Sequence, residues 1–148
     1  MTDSTSLRRH FSARLVPMAR AYRRYLDRGL AGLSLSHTAA LAVMLIGRTE
    51  EGMRQGALAD QLGMEAPSVV PLIDQLERSG LVERRVDATD KRARLLHLTN
   101  EGRTAAAEVE ERTAQIRSEL FAEVDDVDLK AASRVLDQLY AAFGDDRE

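Results

Sequence analysis

The 148-residue chain predicts a mainly α fold with a small β-wing, set between long N- and C-terminal helices. Three observations predict it. Residues 56–80 hold two short runs of helical apolar spacing, separated by a tight turn. Residues 81–98 hold two apolar segments around a highly charged tip. Residues 6–35 and 99–148 carry apolar positions at intervals of three and four, the mark of amphipathic helices.

In the central run, Leu58, Ala59 and Leu62 form one short apolar face that Gly63 ends. Val69, Leu72, Ile73 and Leu76 form the next, with Gly80 just past its end. Two helices joined this way form a helix-turn-helix, which can set its second helix in a DNA major groove. Leu81-Val82 and Leu95, Leu96 and Leu98 then bracket VERRVDATDKRAR, a hairpin whose tip is too charged to bury.

Along the rest of the chain, residues 1–5 are polar and expected to fray. Ser6 is the expected N-cap of a helix reaching about residue 27 or 28. Leu7, Phe11, Leu15, Met18, Tyr22 and Leu26 form its stripe, and its arginines a solvated face. Residues 29–35 form a loop. Ser36 caps a helix to about residue 47, apolar nearly all round and so central. Thr99 caps a long helix to about residue 124, with Glu101 in its first turn and Ala105, Val109, Ile116, Leu120 and Phe121 along it. After a break at Asp125-Asp126, a last helix spans 128–143. Its stripe is Leu129, Ala132, Val135, Leu136, Leu139, Tyr140 and Phe143, and Gly144 ends it.

Composition narrows the function classes. Hydrophobic residues at 44% and charged residues at 30% describe one globular domain, 1–148. The chain has no Cys, which excludes disulfides and thiolate metal sites and suits the cytoplasm. No apolar run approaches the roughly 20 residues that span a bilayer, so no membrane partner is expected. His10, His37 and His97 are not spaced as metal ligands on a helix, and no phosphate loop or nucleophile turn appears, so neither enzyme activity, metal nor cofactor is expected. The net charge of −3 hides a local excess of cations around the hairpin tip, at Arg84, Arg85, Lys91, Arg92 and Arg94.

Residues 56–102 closely resemble the winged helix of the MarR (multiple antibiotic resistance regulator) transcription factors, over about a third of the chain. The matching residues are Leu58-Ala59 and Leu62-Gly63, Ser68-Val69, Leu72-Ile73-Asp74, Leu76-Glu77, Gly80-Leu81-Val82, Arg84-Arg85, and Asp90, Arg92, Leu98-Thr99 and Gly102. The flanking helices agree in pattern only.

The resemblance implies a cytoplasmic, homodimeric, sequence-specific regulator of transcription, commonly a repressor, binding a pseudo-palindromic double-stranded DNA operator. Residues 36–98 would read DNA, and 6–35 and 99–148 would dimerise through Leu7, Phe11, Leu120, Phe121, Leu129, Val135, Leu136, Leu139, Tyr140 and Phe143. A short strand containing an inward Met53 would pair with the wing. Arg92 of the D-x-R tip would enter the minor groove, with Asp90 orienting its guanidinium. Lys91 and Arg94 are the expected phosphate contacts. Of Arg84 and Arg85, which alternate across a strand, one would bind phosphate and the other an acid.

In the recognition helix, Ala66, Pro67, Ser68, Val69, Val70 and Pro71 are expected near bases or backbone, with Arg78 further on and Gln55 at the start of the preceding helix. The chain departs from the family at Val70, where Ser or Thr is usual, and at Pro71, where a basic residue is usual. Val70 is either a contact to a thymine methyl group or plain packing. Pro71 is tolerable if the helix starts at Pro67 or Ser68. The resemblance also implies a small aromatic or phenolic effector, with Phe11, Arg14, Met18, Tyr22, His37 and Met44 as candidate lining. The alternative reading is a winged helix that contacts protein and not DNA.

Overall fold

A computed structural model describes residues 3–144 as α1 (Ser4–Gly29), α2 (His37–Gly47), β1 (Met53–Arg54), α3 (Gln55–Leu62), α4 (Ala66–Arg78), β2 (Val82–Val86), β3 (Arg94–Leu98), α5 (Asn100–Leu120) and α6 (Asp126–Phe143). The chain divides after Ile116 into two compact units.

The first unit holds the core. Val43 and Ile46 of α2, Leu58 of α3, Val69, Ile73 and Leu76 of α4, Val82 of β2, Leu96 of β3 and Val109 of α5 are all buried. Each belongs to an apolar stripe set by helical or alternating spacing, so local pattern and burial agree. β1, β3 and β2 form an antiparallel sheet in that order, with Met53 opposite Leu96 and Val82 opposite Leu98. Met53 faces inward as expected. Gly63 ends α3 at φ 64, a conformation that costs a residue with a Cβ roughly 1 kcal/mol or more.

Several boundaries differ from expectation. Asp3, not Ser6, caps α1, accepting from the amide of Thr5 at 3.3 Å. Ser4 and Thr5 are therefore helical, while Met1 and Thr2 lie outside the described residues. Ser36 does cap α2, accepting from the amide of Ala39 at 3.2 Å. α4 begins at Ala66, so Pro71 sits in its second turn and not its first. The buried face of α5 uses Ala106 and Thr113 with Val109 and Ile116, in place of Ala105. α5 stops at Leu120, where a turn closed by the amide of Val124 on the carbonyl of Phe121 takes over.

The second unit carries α6. Asp125 caps it, accepting from the amide of Val127 at 2.7 Å. None of its residues is buried, although Val127, Val135, Leu136, Tyr140 and Phe143 are large and apolar. α1 is similar in this respect as far as Tyr22, with Leu7, Phe11, Val16, Met18 and Tyr22 exposed.

Candidate nucleic-acid interface

α4 buries Val69, Leu72, Ile73 and Leu76 along one side. Its opposite side is exposed from Ala66 through Ser68 and again at Val70, Pro71, Asp74, Gln75 and Arg78. Pro67 occupies the first turn, where a missing N–H costs nothing. Pro71 has no N–H to offer the carbonyl of Pro67, so that carbonyl loses its usual helical donor. Val69, expected near the DNA, is 0% exposed and belongs to the core. Its place on the helical wheel, one turn before Ile73, makes that unavoidable.

A cleft of about 460 Å³ runs beside α4, lined by Pro71, Asp74, Glu77, Arg78 and Arg84. Arg84 reaches from β2 and donates to Asp74 at 2.7 Å and also to Glu77. The hydrogen bond to Asp74, then that to Glu77, holds the guanidinium pKa above its ordinary value, so it stays charged. Arg84 is thus paired with two acids of the recognition helix. Arg85 is paired too, with Nε donating to Glu83 at 2.7 Å. Strand alternation sends the two arginines to opposite faces, but an acid waits on each.

The wing tip is different. Lys91, Arg92 and Arg94 are exposed, and no ion pair holds them among the described residues. Asp90 does not grip the guanidinium of Arg92. It accepts from the backbone amide of Arg92 at 3.1 Å, which shapes the tip and leaves the Arg92 side chain unbound. The base of the wing is fastened by residues that local sequence did not reveal. Asp87 accepts from the amide and the hydroxyl of Thr89 at 2.9 and 2.8 Å, and from Arg54 of β1 at 3.1 Å. These bonds hold its carboxyl below the usual carboxylate range, the amide of Thr89 contributing most. The D-x-T spacing was a readable signal for the turn. Arg54 was not readable, because its partner lies across the sheet.

Gln55 is the first residue of α3 and half-buried, with Arg54 as the N-cap residue. Arg78 is exposed, and its Nε donates to the carbonyl of Asp74 at 3.3 Å.

Met44 lines a cavity of about 280 Å³ with Gly47, Arg48, Leu98, Arg103, Ala106, Ala107 and Glu110, a set without Phe11, Arg14, Met18, Tyr22 or His37. Arg48 donates to Glu110 at 2.7 Å there. Phe11, Arg14, Met18 and Tyr22 are exposed on α1. His37 is paired through Nδ1 with Asp27, and its Nε2 is buried without a hydrogen-bond partner among the described residues. Among the described residues, no group of His, Cys, Asp and Glu could hold a metal ion, and no helix is long and apolar enough to cross a membrane.

An exposed second helix beside a cationic two-stranded wing defines a winged helix-turn-helix protein. A sequence profile of the MarR family matches residues 31–93. The chain resembles the crystal structure of the transcriptional regulator PA3341 at 31% identity and a TM-score of 0.80, covering 91% of this chain and 98% of that one. It also matches CouR from Rhodococcus jostii RHA1 bound to p-coumaroyl-CoA, at 24% identity and TM-score 0.75, covering 84% of this chain and 87% of that one. A third match is S. aureus MepR in its DNA complex, at 19% identity and TM-score 0.75, covering 89% of this chain and 97% of that one. The chain belongs to the MarR family of transcriptional regulators. Family and fold are those of regulators and not of enzymes.

Proposed function

We propose that this protein is a cytoplasmic homodimer that binds a pseudo-palindromic DNA operator and represses transcription until a small aromatic or phenolic effector releases it. The observation that carries the DNA reading is the pairing of an exposed α4 face with an exposed wing tip whose Lys91, Arg92 and Arg94 have no internal ion-pair partner among the described residues. Free cations beside a groove-sized helix suit phosphate and minor-groove contact. Arg92 enters the minor groove, and Lys91 and Arg94 hold phosphate. Ser68 and Gln55 contribute at the two helix starts. The MepR–DNA complex, formed by a protein of the same fold, supports the DNA-binding reading.

Dimerisation rests on the apolar side chains that single chains leave in water. These are Leu7 and Phe11 on α1, Phe121 after α5, and Val135, Leu136, Tyr140 and Phe143 on α6. Burying each large side chain gains about 1.5–3 kcal/mol, and a second copy is the nearest source of cover. In this reading residues 36–98 recognise DNA, and 6–35 and 99–148 dimerise. An effector is supported by the p-coumaroyl-CoA bound to CouR and by the cavity beside Met44.

The test is binding to DNA from just upstream of the protein's own gene, for wild type and Arg92→Ala, across a salt series. Tight binding that weakens with salt and with Arg92→Ala is expected, because phosphate contacts release counterions. Binding no better than to random DNA at every salt concentration would favour the protein-contact alternative, which the exposed apolar Val70 and Pro71 keep in view.

A further inference from the structure

We infer that the recognition helix reads its operator chiefly through thymine methyl groups, with Val70 and Pro71 as the specificity-determining residues. This rests on the DNA-binding reading above. The physical case begins with what the exposed face of α4 offers. Asp74 and Glu77 are each tied to Arg84 through one oxygen, which reduces their capacity to accept from cytosine or adenine amino groups. Arg84 is likewise less available to guanine. Val69, Leu72, Ile73 and Leu76 face the core. Up to Asp74, the exposed side chains past the N-cap are Ala66, Pro67, Ser68, Val70 and Pro71, and only Ser68 can hydrogen-bond.

A protein helix enters the major groove with its N-terminal residues against base edges. The major groove presents one apolar group, the C5-methyl of thymine, and an apolar side chain recognises it by excluding water. Val70 is 36% exposed although it is branched and apolar, and Pro71 follows it on the cleft wall. The Arg84 bridges serve this arrangement. They offset part of the charge of two carboxylates that would otherwise repel phosphate, without adding a donor that would favour guanine.

The experiment selects binding sites from a random-sequence duplex library, then replaces each thymine of the selected duplex by deoxyuridine. That change removes only the methyl group. We expect thymine enrichment in each half-site, and a loss of about fourfold in affinity for each contacted methyl removed. Val70→Ser/Pro71→Ser should bind the thymine and deoxyuridine duplexes equally and select a different half-site. Both positions are exposed, and serine at 71 restores the amide that the Pro67 carbonyl lacks, so a melting temperature no lower than that of the wild type serves as the folding control. Val70→Thr keeps a methyl group and should retain part of the preference. A specific selected site that is indifferent to deoxyuridine overturns the inference and leaves the DNA reading standing. So does an equal deoxyuridine penalty in wild type and the double variant, which would trace to DNA shape. No enrichment at all defeats both readings.

Discussion

The hydroxyl of Thr99 donates to the carbonyl of Gly80 at 2.6 Å, across 19 residues of chain. The same oxygen accepts from the amide of Gly102 at 3.0 Å. One side chain therefore ties the end of the recognition helix to the start of α5, and the amide of Thr99 adds a bond to the carbonyl of Leu81 at 3.0 Å. Thr99→Val keeps the shape and removes both hydroxyl bonds. It should lower stability by about 1–2 kcal/mol, the scale of a missing cap, read as a lower urea midpoint at constant slope.

Gly102 has no room to change. A Cβ there would overlap the backbone carbonyl of Leu81, which cannot move without the sheet. Gly102→Ala should cost about 1–3 kcal/mol or more. Gly56 in α3 is the control, since nothing lies within 4 Å of its Cβ position. Gly56→Ala should stabilise by about 0.5–1 kcal/mol through the unfolded chain. Thermal melts of the two variants should move in opposite directions.

Arg84 makes a test of charge compensation. Arg84→Ala should weaken DNA binding about tenfold, from roughly 1.4 kcal/mol of solvent-screened repulsion between the stranded carboxylates and phosphate. Adding Asp74→Asn and Glu77→Gln should restore most of it. If Arg84 instead touched phosphate itself, the triple variant would bind as weakly as the single one.

Lys91→Ala should reduce the slope of log affinity against log salt by about 1 for each phosphate it no longer neutralises, with little change in sequence preference. Titrations at several salt concentrations, on selected and unrelated duplexes, separate this from a weaker base readout.

The wing has a pH signature. The Asp87 carboxyl is held below its ordinary value, chiefly by the amide and hydroxyl of Thr89. A depressed folded-state pKa means that the unfolded chain binds the proton first as pH falls. The stabilisation is therefore complete above the ordinary carboxylate value of about 3.9, and is lost as pH drops below it. Asp87→Asn should flatten this acid limb in denaturation measured between neutral and acidic pH.

Much of the fold is legible in the sequence because it is local. Leu58, Ala59 and Leu62, or Val69, Leu72, Ile73 and Leu76, announce buried faces by spacing alone, and all of them are buried. Ser36 before an apolar run announces a cap, and the Arg-rich hairpin announces a wing. Helix starts are less legible. Asp3 displaces Ser6 as the cap of α1, and the two side chains are comparable N-caps, so composition alone does not choose between them.

Sequence by itself determined the order of elements, the core stripes and the position of the charged tip, since these follow from periodicity within a few residues. Tertiary structure alone decided which charges are free. Local spacing left open which of Arg84 and Arg85 meets an acid, and the fold pairs both, Arg84 with Asp74 and Glu77 across the α4–β2 packing and Arg85 with Glu83, while Arg92 projects unpaired. Likewise Arg54 meets Asp87 over a separation of 33 residues. Ion pairing depends on distance in space, which sheet register and helix packing set and local spacing does not carry.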